Sequence, residues 1–142
     1  MIKFFDRIQE ENIVLAIREA EACTSGEIRV HIEDRLKTTA LEEAKLVFGR
    51  LDMHKTQARN GVLILLAPND KQFAIIGDKG IHAAVEVDFW ENERNILLKH
   101  FKKGAFCEGI CEVIRQVGEK LKSDFPVEDD DVNELPDEIS YS

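Results

Sequence analysis

The sequence contains no long apolar run. Its longest, Val62 to Ala67, has the length of a strand, far short of the roughly 18–20 residues that a membrane-spanning helix needs. Met1 to Asp6 carry no apolar stretch of the kind that opens a secretory leader. Cysteine is scarce and odd in number. Cys23, Cys107 and Cys111 form no disulfide framework, so the expectation is a reduced, cytoplasmic protein without membrane insertion. A surplus of Lys and Arg is also missing. A formal net charge of -9 argues against a general nucleic-acid binder and against docking on anionic lipid. Nucleophile motifs are absent as well: there is no G-x-S-x-G, no phosphate-binding G-x-x-x-x-G-K-[ST] and no C-x-x-C.

What is present fits one domain. A chain of 142 residues can bury a proper core but not two. Residues 1–125 read as an α/β domain and residues 126–142 as an acidic tail, part of which docks through Leu135, Pro136, Ile139 and Tyr141. The first helix starts at an Asp6 cap with Gln9 three residues on, and buries Ile13, Ile17 and Ala20, with Arg18 and Glu21 pointing away. Thr24-Ser25-Gly26 ends it. Ile28, Val30 and Ile32 then alternate with Arg29, His31 and Glu33, the period of a half-buried strand. A second helix begins at Thr39, capped in T-x-x-E fashion by Glu42, with Leu41, Ala44, Phe48 and Leu51 as its buried stripe. Val62 to Ala67 reads as a central strand covered on both faces, and Gln72 to Ile76 as its hairpin partner after the Pro68-Asn69-Asp70-Lys71 turn. Asp88-x-x-Glu91 caps a third long helix, and Gly104 precedes a fourth. The fold class is therefore a three-layer α/β/α sandwich around a small mixed sheet of about four strands.

Strand direction has a functional consequence. The two parallel strands begin at Glu27 and Asn60-Gly61, and the antiparallel one ends at Gly77-Asp78. Glu27, Asn60 and Asp78 must then lie at one end of the sheet. Converging oxygen ligands of this kind suit Ca²⁺ or Mg²⁺ far better than zinc. Asp88 follows shortly after and adds a carboxylate. In the tail, Asp129-x-Asp131-x-Asn133 opens like an EF-hand loop but fails at Glu134, where glycine belongs, and at Ser140, where a closing glutamate belongs. Asp131, Glu134 and Asp137 remain as carboxylates for a looser site. Cys107 and Cys111 sit beside an apolar stripe and read as structural.

Thr24-Ser25-Gly26-Glu27-Ile28-Arg29-Val30, Arg59-Asn60-Gly61-Val62-Leu63-Ile64, Gly80-Ile81 and Gly104-x-Phe106-x-x-Gly109-Ile110, in this order and spacing, resemble the TPM domain family, described as phosphatase-like. The resemblance covers about residues 10 to 122. It implies an α/β/α domain of Rossmann-like appearance, divalent-metal binding (chiefly calcium) and, for some members, acid phosphatase activity. Membrane-anchored members often read Asp-Asn-Gly where this chain has Arg59-Asn60-Gly61, and Gly-Leu-Glu where it has Gly80-Ile81-His82. Two usual acids are thus replaced.

The leading expectation is a stand-alone calcium-binding module with metal-ordered loops. Its ligands come from Glu27, Asn60, Asp78, Asp88, Asp131, Glu134 and Asp137, with charge enough for two ions and magnesium as the competitor. The alternatives are a metal-dependent acid phosphatase-like hydrolase, with Arg59 or Lys79 holding the ester, and a protein-interaction module without metal.

Overall fold

The computed structural model describes residues 4–56, 58–84, 87–127 and 137–142, and for residues 82–84 and 87 the backbone alone. Helix α1 (Arg7–Glu21) opens with a complete capping box: Asp6 Oδ1 accepts from Gln9 N at 2.8 Å and Gln9 Oε1 from Asp6 N at 3.0 Å. These bonds satisfy two amide donors, one of them among the four that a helix start leaves orphaned. Ile13, Ala16, Ile17 and Ala20 face the core. After strand β1 (Glu27–Ile32) comes α2 (Ala40–Arg50), whose Thr39 cap accepts from Glu42 N at 3.2 Å. Strands β2 (Gly61–Ala67) and β3 (Gln72–Gly77) form the hairpin. Short α3 (Lys79–Ala84), α4 (Val87–Lys102) and α5 (Phe106–Asp124) follow, then β4 (Ser140–Tyr141).

The sheet order is β3-β2-β1-β4. β1 runs parallel to β2 in the register Glu27 to Gly61, β3 runs antiparallel to β2, and β4 pairs parallel with β1 through His31 to Ser140 and Ile32 to Tyr141. Alternation sorts the core into two. Val62, Ile64 and Leu66 join Ile28, Val30 and Ile32 beneath α1, α4 and α5, whereas Leu63, Leu65 and Ala67 meet α2 on the opposite face. This is a three-layer sandwich, and it explains why the β2 sequence is apolar at every position. Gly118 brings α5 close to α1: a Cβ there would lie 2.6 Å from that of Ala20.

Two local expectations are corrected. The buried stripe of α2 is Ala40, Glu43, Ala44 and Val47, one position off the expected phase, and Leu41 is exposed. Small residues let this helix lie close to the sheet, and Glu43 is accommodated because its Oε1 accepts Lys37 N at 2.8 Å. His31 is buried, not on a solvated strand face. Its Nδ1 and Nε2 each lie 2.7 Å from the hydroxyls of Ser140 and Ser142, which arrive with β4. Burial holds its pKa below the ordinary value against the pull of Glu33. No helix among the described residues is long and apolar enough to cross a membrane.

Candidate functional site

The tight connection between α1 and β1 builds one end of the sheet. Thr24 Oγ1 accepts Gly26 N at 3.0 Å and donates to the Phe125 carbonyl, which also accepts Ser25 N at 2.9 Å. The turn is thereby tied to the end of α5. Glu27 then enters the sheet beside Gly61, its amide 3.4 Å from the Asn60 carbonyl. Asp78 N reaches the Gly61 carbonyl at 2.9 Å. Glu27, Asn60 and Asp78 are all buried at this end, as strand direction requires.

Their surroundings divide them. Asp78 is neutralised by its own chain: Oδ2 accepts Arg59 Nε at 2.8 Å, and Oδ1 accepts Arg59 Nη2 at 3.0 Å and Lys79 N at 2.7 Å. Burial pushes its pKa up, but the bonds from Arg59 and Lys79 outweigh this and hold it below the ordinary carboxylate value. Arg59 adopts a positive φ of 52°, and Gly80 permits the close approach behind it. A Cβ at Gly80 would sit 2.3 Å from the Ala58 carbonyl oxygen and 2.7 Å from that of Arg59.

Glu27 has different neighbours. Glu21, in the last turn of α1, reaches back so that its Oε2 accepts Ile28 N at 2.8 Å. Its Oε1 is buried with no hydrogen-bond partner. Burial, contact with the Asp137 carboxyl and the charge of neighbouring Glu27 hold the Glu21 carboxyl far above the ordinary range. Asp137 is also 3.5 Å from Arg18 Nε. Asn60 Nδ2 lies 3.4 Å from Ser25 Oγ, while its Oδ1 is buried and unpartnered. Two orphaned oxygens and three crowded carboxyls therefore gather on the α1 side of this end. Glu21 was read from the sequence as pointing away. The five-residue link from α1 to Glu27 is the signal that could have revealed it, because so short a turn sets the last helical turn against the strand's first residues.

Of the remaining expected ligands, Asp88 is exposed in the first turn of α4, and Asp131 and Glu134 lie outside the described residues. Among the described residues no group of three or more His, Cys, Asp or Glu side chains is placed so that it could hold a metal ion. The oxygen-only donors at this end have the hardness for Ca²⁺ or Mg²⁺ and the wrong chemistry for zinc.

An α/β/α sandwich with an acidic end built from the α1–β1 turn and the β2 start defines the class. The chain belongs to the TPM domain family, whose sequence profile matches residues 2–120. It is similar in structure to the BA42 protein from the psychrophilic bacterium Bizionia argentinensis, with a TM-score of 0.93 at 44% identity, covering 100% of this chain and 98% of that one. Two further likenesses show the fold alone. They are the N-terminal domain of the cg2496 protein from Corynebacterium glutamicum (TM-score 0.66, 14% identity, 83% of this chain and 74% of that one) and an N-terminal domain from P. gingivalis (0.66, 16%, 85% and 78%). No curated protein matches the chain.

Proposed function

We propose that this TPM domain binds a divalent cation, calcium in preference to magnesium, at the α1 side of the sheet end. One observation carries the reading: half-buried Glu21 sets its carboxyl against those of Glu27 and Asp137, with its Oε1 buried and accepting no hydrogen bond from a donor N–H or O–H. Crowded carboxyls relieve their repulsion by keeping a proton or by taking up a cation in its place. Glu21, Glu27, Asn60 through Oδ1, and Asp137 supply the ligands, and Asp131 and Glu134 are the candidates to complete the shell. Because Asp137 opens the segment that leads to β4, occupancy by the cation orders that segment and stabilises the fold. A second ion has less to gain at Asp78, whose oxygens already hold Arg59. The same ion pair engages Arg59, one of the two cations, with Lys79, that the hydrolase reading has for holding an ester. The free thiols of Cys23, Cys107 and Cys111 suit the reducing, cytoplasmic setting proposed with it.

A calcium titration of the full chain followed by heteronuclear NMR, with magnesium as competitor, tests this. Saturable shifts at Glu21, Glu27 and Asp137, lost in Glu27→Gln, are the expected result. An unchanged spectrum up to millimolar calcium overturns it and leaves the protein-interaction reading.

A further inference from the structure

Helix α4 carries an acid where its packing calls for a hydrophobe. Trp90 and Leu97 are buried and Phe89, Ile96 and Phe101 are packed against the same core. Glu93, spaced between them on that stripe, is only 2% exposed. Its Oε1 is buried with no hydrogen-bond partner, and no cation among the described residues pairs with it. An ionisable group buried without a partner costs stability, so a group kept there calls for an explanation beyond packing. Glu93 also lines a cleft of about 790 Å³ between α1, α4 and α5, together with Phe89, Glu19, Glu119, Arg115 and Cys23. The cleft shares no residue with the acidic end of the sheet.

We infer that this cleft binds a small organic cation, a primary ammonium on an apolar body, with the ammonium donating to the orphaned Glu93 oxygen and the body lying against Phe89. The donor set selects this class. A lone buried carboxyl at the wall of a partly apolar cleft wants a charge-assisted N–H donor, and an aromatic face beside it favours a cation further. Glu19 and Glu119 add negative charge to the lining, whereas Arg115 and Lys120, which line it too, disfavour ligands with more than one positive charge. The carboxyl is also poised for the task. Burial and the charge of Glu112 lift its pKa to about 7, a penalty that an incoming ammonium relieves.

The test uses the full chain, isotope-labelled, with phenethylammonium as probe and two matched compounds, 2-phenylethanol and 3-phenylpropionate. Saturable shifts at Phe89, Asn92 and Glu93 with the amine, with the alcohol weaker and the anion silent, are expected. Glu93→Gln keeps the shape and should weaken the amine about ten- to hundredfold, as loss of a charge-assisted hydrogen bond implies. Glu19→Gln, also in the lining, should weaken it less than about threefold. The inference is overturned by no saturation at tens of millimolar amine, by equal affinity in Glu93→Gln, or by anion binding that matches the amine.

Discussion

Asp78 and Glu21 are acids at the same end of one sheet, yet they are neutralised in opposite ways. Asp78 carries its counter-charge within the chain, two residues from the start of β2, and its oxygens are bonded to Arg59 and Lys79. Glu21 faces two more carboxyls and keeps an orphaned oxygen. An internally closed ion pair organises a turn and asks for nothing from solution. An acid crowded by acids keeps its proton, and an external cation is the charge that would replace it. The difference is why the proposed cation site is placed on the α1 side of the sheet end, away from the α3 side.

The largest effect should come from opening the closed side. Gly80→Val drives its side chain into the Ala58 and Arg59 carbonyls, and should cost about 3 kcal/mol in urea unfolding. Next comes the open side. Calcium at a hundredfold excess over its dissociation constant should stabilise the wild type by about 2.7 kcal/mol, measured as a rise in urea midpoint. Glu27→Gln should lose most of that gain. Glu21→Gln removes one of the three acids, and should stabilise the metal-free protein by about 1 kcal/mol while weakening calcium. Arg18→Ala frees Asp137 of an exposed partner and should change stability by no more than about 0.5 kcal/mol, with a slight gain in calcium affinity.

The contrast also has a sign in pH. Asp78 has a lowered folded pKa, so its stabilising contribution is present above the ordinary value of 3.8 and is lost as pH falls through the lower folded one. Glu93 runs the other way. Its folded pKa is about 7 against an ordinary 4.5, so the folded state binds the extra proton and stability drops as pH rises from 4.5 to 7. Burial and the charge of Glu112 on α5 cause that rise in pKa, and Arg115 and Lys120 of α5 and Glu19 of α1 share the neighbourhood. Urea midpoints measured across that range should fall in the wild type and stay flatter in Glu93→Gln.

Much of this architecture is legible in the sequence because it is local. The Asp6 and Thr39 caps, the hairpin turn and the continuous apolar run of β2 each depend on residues a few positions apart. The meeting of Glu27, Asn60 and Asp78 follows from strand direction alone. What escaped depends on distant chain. His31 alternates like a solvated residue and is buried only because Ser140 and Ser142 arrive more than a hundred positions later. Asp137 reaches Glu21 by the same route. In α2 the expected stripe has Ala44 right, with Phe48 and Leu51 packed partly buried at its side, but puts Leu41 where Ala40 lies, because the bulk of Leu41 suggests a core role that close helix–sheet packing does not allow. Glu93 was passed over since a charged residue in an amphipathic helix normally faces water.

The two-residue strand β4 has a meaning apart from the site. It lies on the outer side of β1, where Ser142 N donates to the Ile32 carbonyl and Asp34 N to that of Ser142, while Tyr141 donates its hydroxyl to Glu10. A strand carrying Ile28, Val30 and Ile32 with a bare margin is a template on which neighbouring molecules can stack. Residues 140–142 occupy the far end of that margin, and through Tyr141 they fasten it to α1. Their loss would therefore show first in concentrated solution, as self-association of otherwise folded molecules.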